Sequence, residues 1–380
     1  MKIDSVKVKK FKSLKDVDIK LNNLTLITGV NSSGKSSFIQ SLLFFKQNVN
    51  NILFTDLGAK LDKKSGNKDF SKIIANFKDK YLDLGDTSLL FNQEALSKEI
   101  IFEINCKEEK AKITMNSKFE MTCNEGFKHE TLDMFRDNKF NFNYLNTDRV
   151  PPKNTFDFSQ KDVDSSSIGI NGEYTAHYLA ENRHQNLKVE SLKHSNSQTL
   201  QLLENTEKWL SEISSGVSIS ATIDISTQSV KLAYQYEYGD NTTSNYSPLN
   251  VGFGLTYVLP VIVLILKSKP GDFIIIENPE SHLHPAGQSK IAEMCAIAAN
   301  NGVQIIVETH SDHFLNGVRV ATKNGVITPD KSQIYFFEKE ENGLETIPHP
   351  INIDKYGNLD DYPESFFDEW DNNLDRLLDL

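Results

Sequence analysis

Residues Gly29 to Ser36 read Gly-Val-Asn-Ser-Ser-Gly-Lys-Ser, a complete G-x-x-x-x-G-K-[ST] phosphate loop. The chemistry this spacing serves is the wrapping of a polyphosphate. Glycines let successive backbone N–H groups turn inward around anionic oxygens, and a helix starting just after them points its positive end at the same charge. Gly29, Asn31, Ser32, Ser33, Gly34 and Ser37 would form that cradle, with Lys35 reaching the β- and γ-phosphates and the Ser36 hydroxyl ligating Mg²⁺. A second cluster, Glu277-Asn278-Pro279-Glu280 and then Ser281-His282-Leu283-His284-Pro285, ends an apolar run in carboxylates. Acids so placed hold Mg²⁺ through water and orient or deprotonate an attacking water. A third run, Val307-Glu308-Thr309-His310-Ser311-Asp312-His313, puts a histidine where it would lie beside a terminal phosphate. The three together predict a chain that binds a nucleoside triphosphate.

The elements around these residues are those the chemistry needs. Residues 24–28 are a β-branched apolar strand, and 37–43 carry apolar residues at helical spacing. Residues 273–276 read as a continuous apolar strand, 287–299 as a helix, Gly302 as its stop and 303–307 as a second apolar strand. That βαβ unit belongs in a buried parallel sheet. The first thirty residues read as antiparallel strands, at 3–11, at 16–21 and in the strand entering the phosphate loop. Between residues 51 and 243 the pattern weakens. Hairpins are expected at 100–106 with 112–115 and at 221–225 with 230–236, and an amphipathic helix containing Trp209 at 197–213.

Composition narrows the class. The 380 residues allow two or three domains or one large split one. Cys106, Cys123 and Cys295 show no C-x-x-C spacing, which points away from a disulfide framework or zinc site and fits a reducing cytoplasm. The N-terminus lacks a secretory apolar stretch. The most hydrophobic run, residues 255–266, is about twelve residues against the ~20 that span a bilayer, so a buried helix with no membrane role is expected. The formal charge of −11 is uneven: residues 351–380 hold nine acids and two bases, residues 1–20 seven lysines and three aspartates. The N-terminal lysines alternate with apolar residues, as on a half-buried strand, and a solvated face is preferred there over a DNA- or RNA-contacting one.

With these motifs in view, the chain resembles the ABC-type, AAA-class ATPases of the structural-maintenance-of-chromosomes (SMC) and overcoming-lysogenization-defect group. The resemblance rests on Phe11-Lys12-Ser13-Leu14, the phosphate loop, the Glu-Asn-Pro-Glu-Ser-His-Leu-His-Pro run and the Glu-Thr-His-Ser-Asp-His run. It looks closest to a bacterial subfamily without a TOPRIM nuclease domain; the middle third matches only at residues 144–149 and 172–174. It implies an α/β fold: a P-loop NTPase with an ABC-type head split in sequence, an N-terminal antiparallel sheet and a mixed α/β insertion. The expected divisions are 1–50 (phosphate loop), 51–243 (remainder of the lobe and insertion), 244–340 (signature, Walker B and switch histidine) and 341–380 (an acidic-aromatic tail). It implies ATP and Mg²⁺ as cofactors, Ser36 and Glu277 as metal-side groups, and Lys35, Asn278, Glu280 and His310 as the catalytic set. Asn250, Gly252 and Gly254 would form the signature loop, which in the family meets the γ-phosphate of a second subunit and so closes a homodimer.

Two residues depart from the family pattern. Asn250 stands where a serine is common, and Asn278 where a catalytic glutamate is expected. An amide orients water but cannot accept its proton, so slow turnover is expected, with Glu280 the available carboxylate. Only about forty residues follow the strand expected at 333–338, too few for a nuclease domain, so a nuclease would act as a separate effector protein in phage or mobile-DNA defence. The alternative is a DNA repair or chromosome-maintenance ATPase that clamps DNA itself; a scaffold without turnover is the third. Of the remaining features, His282, His284, His310, His313 and Asp312 fit the ATPase pattern better than a transition-metal cluster. Tyr144, Arg149 and Glu173 could line the nucleotide or the interface, with structural duty preferred for each. Phe366, Phe367, Trp370, Leu374, Leu377 and Leu378 would form one helical stripe packing onto the chain's own core.

Overall fold

The computed structural model describes residues 2–62, 73–107, 109–123, 142–239, 241–341, 343, 345–367 and 369–378; the side chains of 50–62, 123 and 369–372 fall outside that description. Its centre is a six-stranded sheet built from both ends of the chain: β3 (Leu24–Gly29), β8 (Phe142–Leu145), β13 (Phe273–Glu277), β14 (Gln304–Glu308), β15 (Ser332–Lys339) and β16 (Thr346–Ile351). The order is β16-β15-β3-β14-β13-β8, parallel throughout except that β16 runs antiparallel on β15. A second six-stranded sheet, antiparallel, joins β1 (Ser5–Phe11), β2 (Leu14–Lys20), β4 (Ile73–Ile74), β5 (Glu99–Cys106), β6 (Glu109–Asn116) and β7 (Glu120–Cys123) in the order β2-β1-β5-β6-β7-β4. A smaller sheet holds β9 (Phe156–Asp157), β10 (Val217–Asp224), β11 (Ser229–Tyr238) and β12 (Asn241–Thr242). Both expected hairpins are there, as β5–β6 and β10–β11.

The strand entering the phosphate loop is not the third antiparallel strand the sequence suggested. It pairs parallel with β14 on one side and β15 on the other. The reason is burial: β1 and β2 alternate buried with exposed or half-buried residues, whereas all six residues of β3 are buried and so need a covered sheet with two packed faces. Alternate residues of the central strands divide accordingly. Leu26, Ile276, Val307 and Phe336 face one core, which includes three helices: α5 (Phe253–Leu266), α6 (Pro285–Asn300) and α7 (Asp312–Lys323). Ile27, Ile275, Ile306 and Phe337 face the other, shared with the antiparallel sheet and with α1 (Lys35–Asp62) through Phe38, Leu42 and Phe45.

Between these lie α2 (Gln160–Asp164), α3 (Thr175–Asn182) and α4 (Leu202–Ser211). The α4 helix is shorter than the stretch 197–213, because the Glu204 carboxylate accepts the N–H groups of Gln198 and Thr199 and holds them in a turn. The buried α5 accepts Pro260 in its interior, and Gly172 makes room for that ring: a Cβ at Gly172 would lie 2.6 Å from the proline. No helix among the described residues is long and apolar enough to cross a membrane.

The tail departs from a single stripe. Ser365 and Phe367 have φ of +64° and +55°, so the helix α8 starts only at Glu369 and runs to Leu378. Phe366 is buried, 5.5 Å from the Phe336 ring, while Leu374, Leu377 and Leu378 are exposed. The Trp370 side chain lies outside the described residues.

One buried side chain of the central sheet grips the N-terminal hairpin at its base. Gln304, buried at the start of β14, accepts the Ile3 N–H at 2.9 Å and donates to Ile3 O at 2.7 Å and Asn22 O at 3.3 Å. Its removal strands buried backbone groups, each worth about 1–3 kcal/mol. Gln304→Ala is therefore expected to lower the unfolding free energy by roughly 2 kcal/mol in urea titrations followed by circular dichroism.

Candidate functional site

The phosphate loop begins where β3 ends, and its glycines are demanded by what lies beneath it. Gly29 sits at φ +139°, and a Cβ there would fall 2.1 Å from the carbonyl oxygen of Phe337 in β15. Gly34, at φ +103°, lies against β16, where a Cβ would fall 2.1 Å from Thr346 Oγ1. Thr346 is itself fastened to the β1–β2 turn, its hydroxyl donating to Ser13 Oγ at 2.8 Å and its N–H to Ser13 O at 3.0 Å. Above this brace, Asn31, Ser32 and Ser36 are exposed, Ser37 is half-buried and Ser33 is buried. The Lys35 ammonium is drawn into the loop, donating to Gly29 O at 2.9 Å and Val30 O at 2.8 Å. Burial lowers its pKa and the charge of Glu308 opposes that.

Acids from the neighbouring strands face the lysine. Parallel register sets Glu277, last residue of β13, beside Glu308, last residue of β14. Glu308 is buried, and burial first, then the Glu277 charge, push its pKa up to about 7 against the pull of Lys35. The Ser36 hydroxyl lies 3.5 Å from Glu308 Oε1, at the outer limit of hydrogen bonding. Glu277 accepts from Tyr144 OH at 3.0 Å, and its other oxygen lies 3.2 Å from Thr147 Oγ1, whose one proton it shares with Asn278. Burial raises its pKa, and these two donors lower it.

The turn after β13 is clamped from the middle of the chain. Asn278 adopts φ +44°, its N–H donates to Glu308 O at 2.8 Å, and its Oδ1 lies 2.8 Å from the hydroxyl of Thr147. The buried Arg149 guanidinium donates to the carbonyls of Glu277 and Asn278 and lies 5.0 Å from the centre of the Tyr257 ring. Burial brings its pKa down to about 10, so it remains a cation at neutral pH. Past Pro279, Glu280 is buried. One carboxylate oxygen accepts the His310 N–H at 2.9 Å, and the other is buried with no hydrogen-bond partner among the described residues. Burial raises the Glu280 pKa, while burial and the Lys35 charge lower that of His310, whose ring is then neutral at pH 7.

The fold thus gathers Gly29 to Ser37, Glu277, Asn278, Glu280 and His310 at one edge of the central sheet. The signature residues stand elsewhere on it. Asn250 ends a short 3₁₀ turn, Gly252 caps α5, and a Cβ at Gly254 would meet His282 O at 2.5 Å. His282 packs edge-on against Phe253 and Tyr257, His284 Nδ1 caps α6, and His313 lies 3.7 Å from Asp312. Among the described residues no three His, Cys, Asp or Glu side chains are close enough to hold a metal unaided. Three of the N-terminal lysines are engaged by acids, Lys9 with Asp16 at 2.9 Å, Lys7 with Asp16 at 3.4 Å and Lys15 with Glu345 at 3.0 Å, while Lys2, Lys10 and Lys12 donate to neutral side chains.

Four residues reach the site without a functional role assigned from sequence: Tyr144, Thr147, Arg149 and Glu308. Glu308 carried a signal, a carboxylate at the end of an all-buried strand two residues before the histidine. The other three carried little, because their partners lie more than a hundred residues away. Glu173 serves structure, accepting the Asn171 N–H at 2.9 Å.

Comparison with known proteins agrees with this geometry. Residues 24–316 match the family model described as "AAA domain, putative AbiEii toxin, Type IV TA system", and residues 327–377 match "Protein of unknown function (DUF3696)". No curated protein matches the chain. Among solved structures it is similar to an SMC head bound to the C-winged helix domain of ScpA, at 15% identity and a TM-score of 0.56, covering 93% of this chain and 99% of that one. It is also similar to an Smc head with an extended coiled coil bound to the C-terminal domain of ScpA derived from Pyrococcus furiosus, at 15% identity and a TM-score of 0.50, covering 92% and 96%. At such identity these structures speak for the fold, a P-loop ATPase head. With the first model spanning most of its length, and the phosphate loop, the acids and His310 assembled on that fold, the chain belongs to the AAA-domain family of the AbiEii type.

Proposed function

We propose that this chain is an ATP-binding, slowly hydrolysing ATPase whose ATP-dependent dimerisation regulates a separate effector, a nuclease, in defence against phage or other mobile DNA. The observation that carries the reading is the braced phosphate loop, with the Lys35 ammonium at its centre and buried carboxylates opposite. Mg²⁺·ATP fits these residues. The loop opens straight into α1, and three acids with raised pKa line the site, with Lys35 beside Glu308 and Arg149 beside Glu277 and Glu280. An oxygen of Glu280 is buried with no hydrogen-bond partner among the described residues. Ser36, with Glu277 behind it, forms the metal side of the cradle. Mg²⁺, when bound with the triphosphate, supplies charge neutralisation on the phosphate oxygens.

Lys35 would exchange its two carbonyl partners for phosphate oxygens. Asn278 orients water with an amide that accepts no proton, and its Oδ1 is already met by Thr147. Glu280 keeps one free oxygen as the proton acceptor, and the neutral His310 ring stands at the loop. One weak base in place of a dedicated glutamate accounts for slow chemistry. Asn250, Gly252 and Gly254 would serve a second copy of the chain: Gly252 borders open space and Phe253 beside it is 42% exposed. The family description, "putative AbiEii toxin, Type IV TA system", supports a part in genetic conflict. The ion-paired N-terminal lysines weigh against a direct DNA clamp.

Calorimetry with ATP and Mg²⁺ is expected to show saturable binding, lost on Lys35→Ala with the fold retained. Steady-state turnover is expected below the range of about 1–100 s⁻¹ usual for phosphoryl-transfer enzymes, and a rate inside that range contradicts the assignment. Glu280→Gln is expected to slow hydrolysis by about tenfold or more at unchanged ATP affinity, and to hold the protein as a dimer in ATP by light scattering.

A further inference from the structure

Glu308 has no role in the reading above, yet its place is the more direct one. The strand order β3-β14-β13 interposes β14 between the strand that launches the phosphate loop and the strand that ends in Glu277. Neighbouring strands are about 4.8 Å apart, so Glu277 stands two strands from β3 and Glu308 only one. The register puts Glu308 opposite Ile27, two residues before Gly29. Its carboxylate faces Ser36 Oγ at 3.5 Å, and Lys35 is the opposite charge it senses. Glu277, by contrast, takes the Tyr144 proton on one oxygen and shares the single Thr147 proton with Asn278. Glu308 has the metal-side serine as its neighbour and is the better placed of the two to meet a cation's water shell.

We propose that Glu308 is the carboxylate that meets the metal's water shell beside Ser36, with Glu277 a positioning residue acting through it. The inference rests on the ATP-binding reading and specifies which residue of that site answers to Mg²⁺. It follows that Glu308 tunes how much the metal strengthens nucleotide binding, not whether nucleotide binds. Without metal, a buried carboxylate beside the phosphates repels them; with metal, the same charge is satisfied.

The test is ATP binding by the full chain, measured calorimetrically in Mg²⁺ and again in EDTA. The wild type is expected to gain about tenfold or more in affinity from Mg²⁺. Glu308→Gln is expected to gain less than about twofold, while binding ATP in EDTA at least as tightly as the wild type. Glu277→Gln is expected to lose less of the gain than Glu308→Gln. An undiminished Mg²⁺ gain in folded Glu308→Gln overturns the inference, as does a greater loss in Glu277→Gln. Should Glu308→Gln fail to fold, Glu308→Asp decides: its shorter arm is expected to cut the Mg²⁺ gain with the EDTA affinity unchanged, and an unaltered gain overturns the proposal. Failure of the underlying reading is distinct, because then the wild type itself binds no ATP or Lys35→Ala binds it equally well.

Discussion

The parallel register of β3, β14 and β13 is the constraint on which the site depends. Three buried strands end together, so the phosphate loop, Glu308 and Glu277 emerge at one edge and in fixed order. Parallel strands leave their carboxyl ends on the same side, where loops can converge on a ligand. The cost is electrostatic: three carboxylates are drawn out of water, Glu308 near Lys35 and Glu277 and Glu280 near Arg149, and burial raises the pKa of each. A divalent cation arriving with a triphosphate brings the charge that this edge lacks.

The two family models meet inside this sheet, not at a boundary in space. The second, residues 327–377, contains β15, which pairs with β3, and β16 beyond it, and both lie against the phosphate loop. Phe337 O closes the space behind Gly29, and Thr346 with Ser13 closes it behind Gly34. The C-terminal segment is therefore part of the nucleotide cradle, and the glycines of the loop are explained by their neighbours as much as by phosphate. The buried Phe366 ring against Phe336 extends the same packing into the tail.

What was legible in the sequence was local. The loop motif, the apolar strands 273–276 and 303–307, the helix after His284 and the two hairpins each declare themselves within a dozen residues, by spacing or periodicity. Partner choice was not local. The sequence alone could not show that β3 leaves the hairpin that precedes it and joins a sheet completed from beyond residue 270, because that choice is made by burial of both its faces. The tail misled for the opposite reason. Its aromatic and leucine spacing is helical, but Ser365 and Phe367 take a left-handed backbone that delays the helix. The Arg149 clamp leaves little trace because hydrogen bonds to main-chain carbonyls make no pattern in side-chain types, and the Thr147 contacts leave little because their side-chain partners lie about 130 residues away.

Asn278 shows how these constraints combine. Its backbone lies at φ +44°, where asparagine is among the few non-glycine residues that sit with little strain. Its carbonyl is held by Arg149 and its amide oxygen by Thr147. A glutamate there would strain the turn and add another carboxylate to an edge where Glu277, Glu280 and Glu308 are already pushed toward protonation. A neutral side chain avoids both penalties. The amide is thus consistent with the geometry of the turn, in which the next carboxylate, Glu280, directly follows a proline and is fixed by the backbone N–H of His310.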